Sequence, residues 1–259
     1  MRLRGLMIAA STIAVHASPV LAGSGDTYIS VSGGATFLND SDNEGSFVGE
    51  FVSGAGTTIP AGTTLPDGTD VGWTTDFGTG YSVGAAVGKY FGSIRGEVEV
   101  AFQSNNVDSH LGVSAAGIDL SAEDAGVLVT GADNLGVSVA DLVADGQGDL
   151  STIFVMANAY YDFNSNGAVR PYVGAGIGVG FVDVDYSPSA VAIIQDSSAA
   201  FAYQAMAGVS FETSNNSELF VGYRFRGTTD VAVEASLFSA DFDIENTGSI
   251  VEAGLRFRF

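Results

Sequence analysis

The chain has 259 residues, 46% of them hydrophobic, with 35 Gly, 17 Phe, 9 Tyr, no Cys and a formal charge of −21. Thirty acids against nine Lys and Arg exclude nucleic acid as a partner, because phosphate binding draws on clustered cations. The lack of Cys excludes N-terminal lipidation and a disulfide framework, and beyond the first two dozen positions no apolar run is long enough for a membrane helix.

In chain order, Arg2 and Arg4 form a basic start, residues 6–15 an apolar stretch, and Val20-Leu21-Ala22 a small-residue cleavage signature. Residues 1–22 therefore read as a signal peptide. Ser11, Thr12, His16 and Pro19 interrupt the apolar stretch and argue against an uncleaved anchor, which needs ~20 apolar residues. Loss of Arg2 and Arg4 takes the charge from −21 to about −23 in a mature domain of residues 23–259.

That domain alternates with period two. The first apolar faces are Ile29-Val31-Ala35-Phe37, Tyr81-Val83-Ala85-Val87 and Ile94-Val98-Val100-Phe102. Three more begin at Ile153, Val173 and Phe201, and the last two are Leu219-Val221-Tyr223-Phe225 and Val251-Ala253-Leu255-Phe257-Phe259. Eight strands of roughly 10 to 13 residues result, the length a tilted strand needs to cross a bilayer. The opposite faces carry Arg95-Glu97-Glu99, Asn158, Asp162, Gln204, Arg224 and Glu252 among many glycines. Arg on the lipid side at mid-bilayer costs ~2–4 kcal/mol, so these side chains are assigned to a lumen. The expected fold is all-β: a closed antiparallel up-and-down transmembrane barrel of eight strands.

Aromatics on the lipid-facing parity predict two girdles. One comprises Phe37, Tyr81, Phe102, Phe181, Phe201, Tyr203, Tyr223 and Phe225; the other comprises Tyr161, Phe163, Phe211, Phe257 and Phe259. Connections at residues 91–93, 164–168 and 213–217 are short, whereas 39–79, 104–150, 183–198 and 228–247 are long. Short turns belong in the periplasm and long loops outside, which places both termini in the periplasm. The long loops hold 23 of the 30 acids and no Lys or Arg. Divalent cations are possible partners there, the sharpest candidate being Asp40-Ser-Asp42-Asn-Glu44-Gly45. Its twelfth position is Phe51 where a calcium loop needs Glu, and Glu50 falls one place early. Residues 121–124 and 138–141 fit the capping-box pattern, with a short helix expected over 137–144.

A turn at residues 164–168 that pairs Asp162 with Arg170 sets Asn158, Met156 and Phe154 opposite Gly174, Gly176 and Gly178. In the last hairpin, pairing Arg224 with Glu252 also sets Glu218 opposite Arg258 and Leu219 opposite Phe257. Arg224, Glu252, Glu218, Arg258, Asp162 and Arg170 are thus candidate lumen charge pairs, either a static filling or a switchable gate.

Residues 156–163, Met-Ala-Asn-Ala-Tyr-Tyr-Asp-Phe, followed by residues 170–180, Arg-Pro-Tyr-Val-Gly-Ala-Gly-Ile-Gly-Val-Gly, resemble the opacity-protein and OmpA-type surface-antigen barrels of Gram-negative bacteria. The layout is similar from Asp26 to Phe259, and the C-terminal Val251, Leu255, Phe257 and Phe259 are similar to the signal read by the barrel-assembly machinery. The resemblance implies an integral outer-membrane surface protein with lipids and lipopolysaccharide around it. A structural or surface-interaction role with a side-chain-filled lumen is expected, and a narrow cation-preferring diffusion channel is the alternative. With His16 in the leader and His110 alone in a long loop, read as solvated, neither enzyme activity nor a cofactor is expected.

Overall fold

The computed structural model describes residues 27–144, 146–164 and 167–259; the expected leader lies outside them. Eight long strands form the barrel: β1 Thr27–Leu38, β2 Gly80–Phe91, β3 Ile94–Ala115, β4 Gly148–Asp162, β5 Val169–Tyr186, β6 Ile194–Ser214, β7 Ser217–Thr228 and β8 Thr247–Arg258. Each pairs antiparallel with its sequence neighbours, and β8 pairs with β1, so the eight form a ring without a free edge. The alternation produces this directly: Ile29, Val83, Val98, Val155, Ile177, Val221 and Val251 point outward and are exposed, while their neighbours of opposite parity are buried.

Several strands exceed what a bilayer requires. β3 has 22 residues and β6 has 21, against the ~10 that cross a membrane. Their patterns reverse polarity along their length. On β3 the outward residues run Ile94, Val98, Val100, Phe102 and then Ser104, Asn106, Asp108, while the inward ones run Arg95, Glu97, Glu99, Gln103, Asn105 and then Val107 and Val113. β5 repeats this, with Phe181 followed by Asp183 outside and the glycine row followed by Val182, Val184 and Tyr186 inside. An apolar exterior suits lipid and an apolar interior suits water, so the reversal marks the level at which the strands leave the membrane.

The four long connections are not irregular throughout, because much of them is sheet. Ser41–Phe47, Asp70–Phe77, Val231–Glu234 and Ala240–Ile244 pair with one another and with the distal part of β3. Together with the far ends of β4, β5 and β6 they enclose an apolar core that includes Phe47, Trp73, Val113, Val143, Val184, Tyr186, Ile194 and Phe242. This cap is a soluble-type β-structure standing on the barrel. The short helix occurs at Val139–Val143, with Ser138 accepting from the Asp141 amide and donating to its carboxylate. In the other capping-box segment, it is Asp124 that caps a 3-10 turn at Ala125–Leu128.

Both expected registers are displaced by two residues. Asp162 stands opposite Tyr172, not Arg170, and Arg224 stands opposite Ile250, not Glu252. A shift of two leaves every side chain on its own face, so alternation does not oppose it; steric volume decides. In the observed register Gly174, Gly176, Gly178 and Gly180 face Tyr160, Asn158, Met156 and Phe154, whereas the expected one sets Tyr160 against Tyr172. Likewise Phe220 faces Gly254, where a Cβ would collide with the phenyl ring, and Glu252 faces Gly222. Glu218 and Leu219 accordingly face Arg256 and Leu255.

Candidate functional site: the lumen charge network and the cap

All six arginines of the described residues, Arg95, Arg170, Arg224, Arg226, Arg256 and Arg258, project from β3, β5, β7 and β8 on the lumen parity. Four buried carboxylates of the same parity pair with them, Glu99, Asp162, Glu218 and Glu252, and Glu97 beside them accepts from Tyr28, Asn158 and Tyr160. The lumen is therefore close to charge balance, and the large negative charge of the chain resides elsewhere.

Glu99 is the centre of the network. It is 3% exposed, and its Oε2 accepts from Arg224 Nη1 at 2.8 Å, Asn158 Nδ2 at 2.7 Å and Gln204 Nε2 at 3.1 Å. Its Oε1 accepts from Arg226 Nη2 at 3.0 Å. Glu99 lies on β3 and both arginines on β7, four strands away in a ring of eight, so these ion pairs span the barrel from wall to wall. Arg224 turns its Nη2 to Glu252 at 3.0 Å, while Gln204 accepts from both guanidinium groups. Arg226 also lies over the Phe154 ring at 4.6 Å.

Toward the turn end of the barrel, Glu218 is a second hub. It meets Arg170 at 2.7 Å, Arg256 at 2.7 Å and Arg258 at 2.6 Å, and accepts from the Tyr90 hydroxyl. Arg95, fully buried, donates from Nε to Asp162 at 2.8 Å and rests over the Tyr160 ring at 4.3 Å. Glu97 accepts from the hydroxyls of Tyr28 and Tyr160. Between the hubs, Tyr160, Tyr172, Met206 and Phe220 form an apolar layer. A lumen cavity bounded by Glu97, Glu99, Arg224 and Glu252 measures about 20 Å³, room for roughly one water.

The structure brings Arg224 to Glu252 and Glu218 to Arg258, as diagonal contacts and not as register partners. Asp162 and Arg170 do not pair: Asp162 bonds Arg95, and Arg170 bonds Glu218, with Glu212 at 3.7 Å. The roles of Glu99, Arg95, Arg226 and Arg256 escaped the sequence reading. Their lumen parity was visible, but Glu99 and Arg226 lie four strands apart and become neighbours only when the sheet closes, while on adjacent strands Arg95 meets Asp162 and Arg256 meets Glu218 through the displaced register.

In the cap, His110 is 2% exposed, which corrects its reading as a solvated loop residue. Its Nδ1 lies 2.8 Å from the Thr75 hydroxyl, which also accepts from Asn43 Nδ2 at 2.7 Å and Trp73 Nε1 at 3.2 Å. The candidate calcium segment around Asp42 and Glu44 is an extended strand, where an ion-wrapping loop needs a turn. Asp42 instead accepts from Thr74, and among the described residues no group of three or more His, Asp or Glu is placed to hold a metal. Asp124 is tied down by the amides of Gly126, Leu135 and Gly136 at 2.7–2.9 Å, which hold its carboxyl below the usual aspartate range.

A family model described as a surface antigen matches residues 68–257, well over half of the sequence. The chain belongs to the surface antigen family. No curated protein matches it significantly. Among solved structures, the outer membrane protein OprG from Pseudomonas aeruginosa is similar at 12% identity and a TM-score of 0.50, covering 91% of this chain and 97% of its own. Neisserial surface protein A is similar at 15% identity and a TM-score of 0.45, covering 92% and 100%. The outer membrane protease OmpT from Escherichia coli is more distant, at 8% identity and a TM-score of 0.40, covering 90% and 97%. The family is thus that of a surface antigen, and the fold is the antiparallel β-barrel seen in the outer membrane protein OprG.

Proposed function

We propose that the protein is a structural and surface-interaction barrel whose lumen does not conduct and whose outward contacts are made by the cap. The supporting observation is the pair of bridges from Glu99 to Arg224 and Arg226 across the full width of the lumen, flanked by apolar layers and by a cavity of only about 20 Å³. An eight-stranded ring has an interior that side chains just fill, and breaking a desolvated ion pair leaves a buried charge uncompensated.

In this reading the leader directs export, the termini and short turns face the periplasm, and the cap stands outside the cell. The apolar band contacts lipid and lipopolysaccharide, and the C-terminal strand engages the barrel-assembly machinery. Divalent cations act there by screening the acidic cap. In this reading the protein is not an enzyme, and His110 serves the cap's packing, buried with its Nδ1 against the Thr75 hydroxyl. Liposomes reconstituted with the full chain test this. Failure of the membrane to pass small neutral sugars agrees with the proposal, whereas swelling at a rate proportional to protein content indicates the narrow channel.

A further inference from the structure

The cap contains a second cavity, separate from the lumen, of about 150 Å³. Its wall is almost wholly apolar: Phe47, Trp73, Val113 and Ile193 form the buried floor, and Phe51 and Phe238 the partly exposed side. It shares no lining residue with the lumen cavity. We propose that this cavity is a binding site for one small, uncharged aromatic molecule of benzene to toluene size.

Three features carry the choice of ligand. Dry apolar cavities of about this volume accept benzene, and a cavity left unfilled forfeits packing contacts that a guest restores. Ser53, Thr63, His110 and Tyr186 are the few polar side chains in the lining, so a strongly polar guest loses more hydrogen bonds to water than it regains, and an anion meets a cap that holds 23 acids and no Lys or Arg in its segments. The wall is also aromatic: Phe47 stacks on Phe51 at 4.7 Å with planes 11° apart, and meets Phe238 at 5.6 Å. Such rings favour a planar guest in offset or edge contact. The site goes beyond a structural role, since it lets a surface barrel take up a neutral solute without passing it through the membrane.

Trp73 is the only tryptophan of the chain and stands in the cavity wall, so its fluorescence reports occupancy. The full chain, refolded into lipid vesicles, is titrated with bromobenzene, a heavy-atom quencher of the right size. Saturable quenching above the linear background from lipid is expected. Val113→Phe fills the floor and should weaken apparent affinity by about tenfold or more. Ile118→Asp places a charge at an exposed position of the wall, where it does not disturb the core, and should weaken binding as well. Loss of saturable quenching in either variant, with native gel mobility retained, supports the site. Quenching that is only linear in the unmodified protein overturns it, as does saturable quenching that no folded variant alters; Ile118→Asp decides if Val113→Phe does not fold.

Discussion

Replacing Glu99 by Leu removes the one carboxylate that bridges β3 to β7. Five donor contacts disappear together: two from Arg224, and one each from Arg226, Asn158 and Gln204. Arg224 keeps Glu252 at 3.0 Å, but Arg226 is left with no anion, only the neutral Gln204 Oε1 at 2.9 Å and the Phe154 ring. Leaving a buried charge without its partner costs ~3–5 kcal/mol. Glu99→Gln retains one acceptor oxygen but loses the charge and turns the other oxygen into an NH2 group facing donors, and should cost ~1.5–3 kcal/mol. The double variant Glu99→Leu, Arg226→Leu removes the orphaned cation along with its partner and should regain most of the loss, since exchanging a buried pair for apolar groups is often neutral. Urea unfolding in lipid vesicles, followed by circular dichroism and by mobility in cold detergent gels, measures all three. A Glu99→Leu midpoint within ~0.5 kcal/mol of the unmodified protein, the usual range for a surface change, would refute the network's energetic role.

Gly254→Ala drives a methyl group into the Phe220 ring and the Val31 carbonyl, so it should destabilise the barrel by ~1–3 kcal/mol and slow its assembly, read from the same gels. Asp124 is held below the usual carboxylate range, so its contribution to cap stability is present above the unfolded value of about 3.9 and is lost as pH falls through the lowered value. Amide exchange in residues 124–138 should therefore stay protected from pH 7 to about 5 and open below about 4, and Asp124→Ala should abolish that dependence. In a Trp73→Phe background, Trp at Val98 should be quenched strongly by lipids brominated at mid-chain, Trp at Phe102 weakly and Trp at Asn106 not at all. Equal quenching at all three positions contradicts the membrane level inferred from the polarity reversal on β3.

The sequence carried the fold well where period-two alternation was the governing physics. Eight strands, their faces and the three short turns all follow from it, because lipid outside and polar groups inside oppose any shift of one residue. The register was not legible. A shift of two leaves alternation intact, and attraction between Arg224 and Glu252 operates diagonally as well as directly, so charge pairing does not choose between registers; the fit of Phe220 against Gly254 does. The cap was hidden for a different reason. Its strands alternate too, but with apolar residues such as Val107, Val182 and Val184 on the face that lower down carries Arg95 or glycine, and the acids around them suggested open loops. The inversion itself was a readable signal. The hub role of Glu99 was not, since it depends on the ring bringing β7 opposite β3.

The central claim is that side chains close the lumen, and single-channel recording of the refolded full chain in a planar bilayer tests it most directly. The account predicts no resolved openings in the unmodified protein and intermittent openings once Glu99→Ala and Arg226→Ala remove the bridge. Steady conductance in the unmodified protein, unchanged by those substitutions, would contradict it.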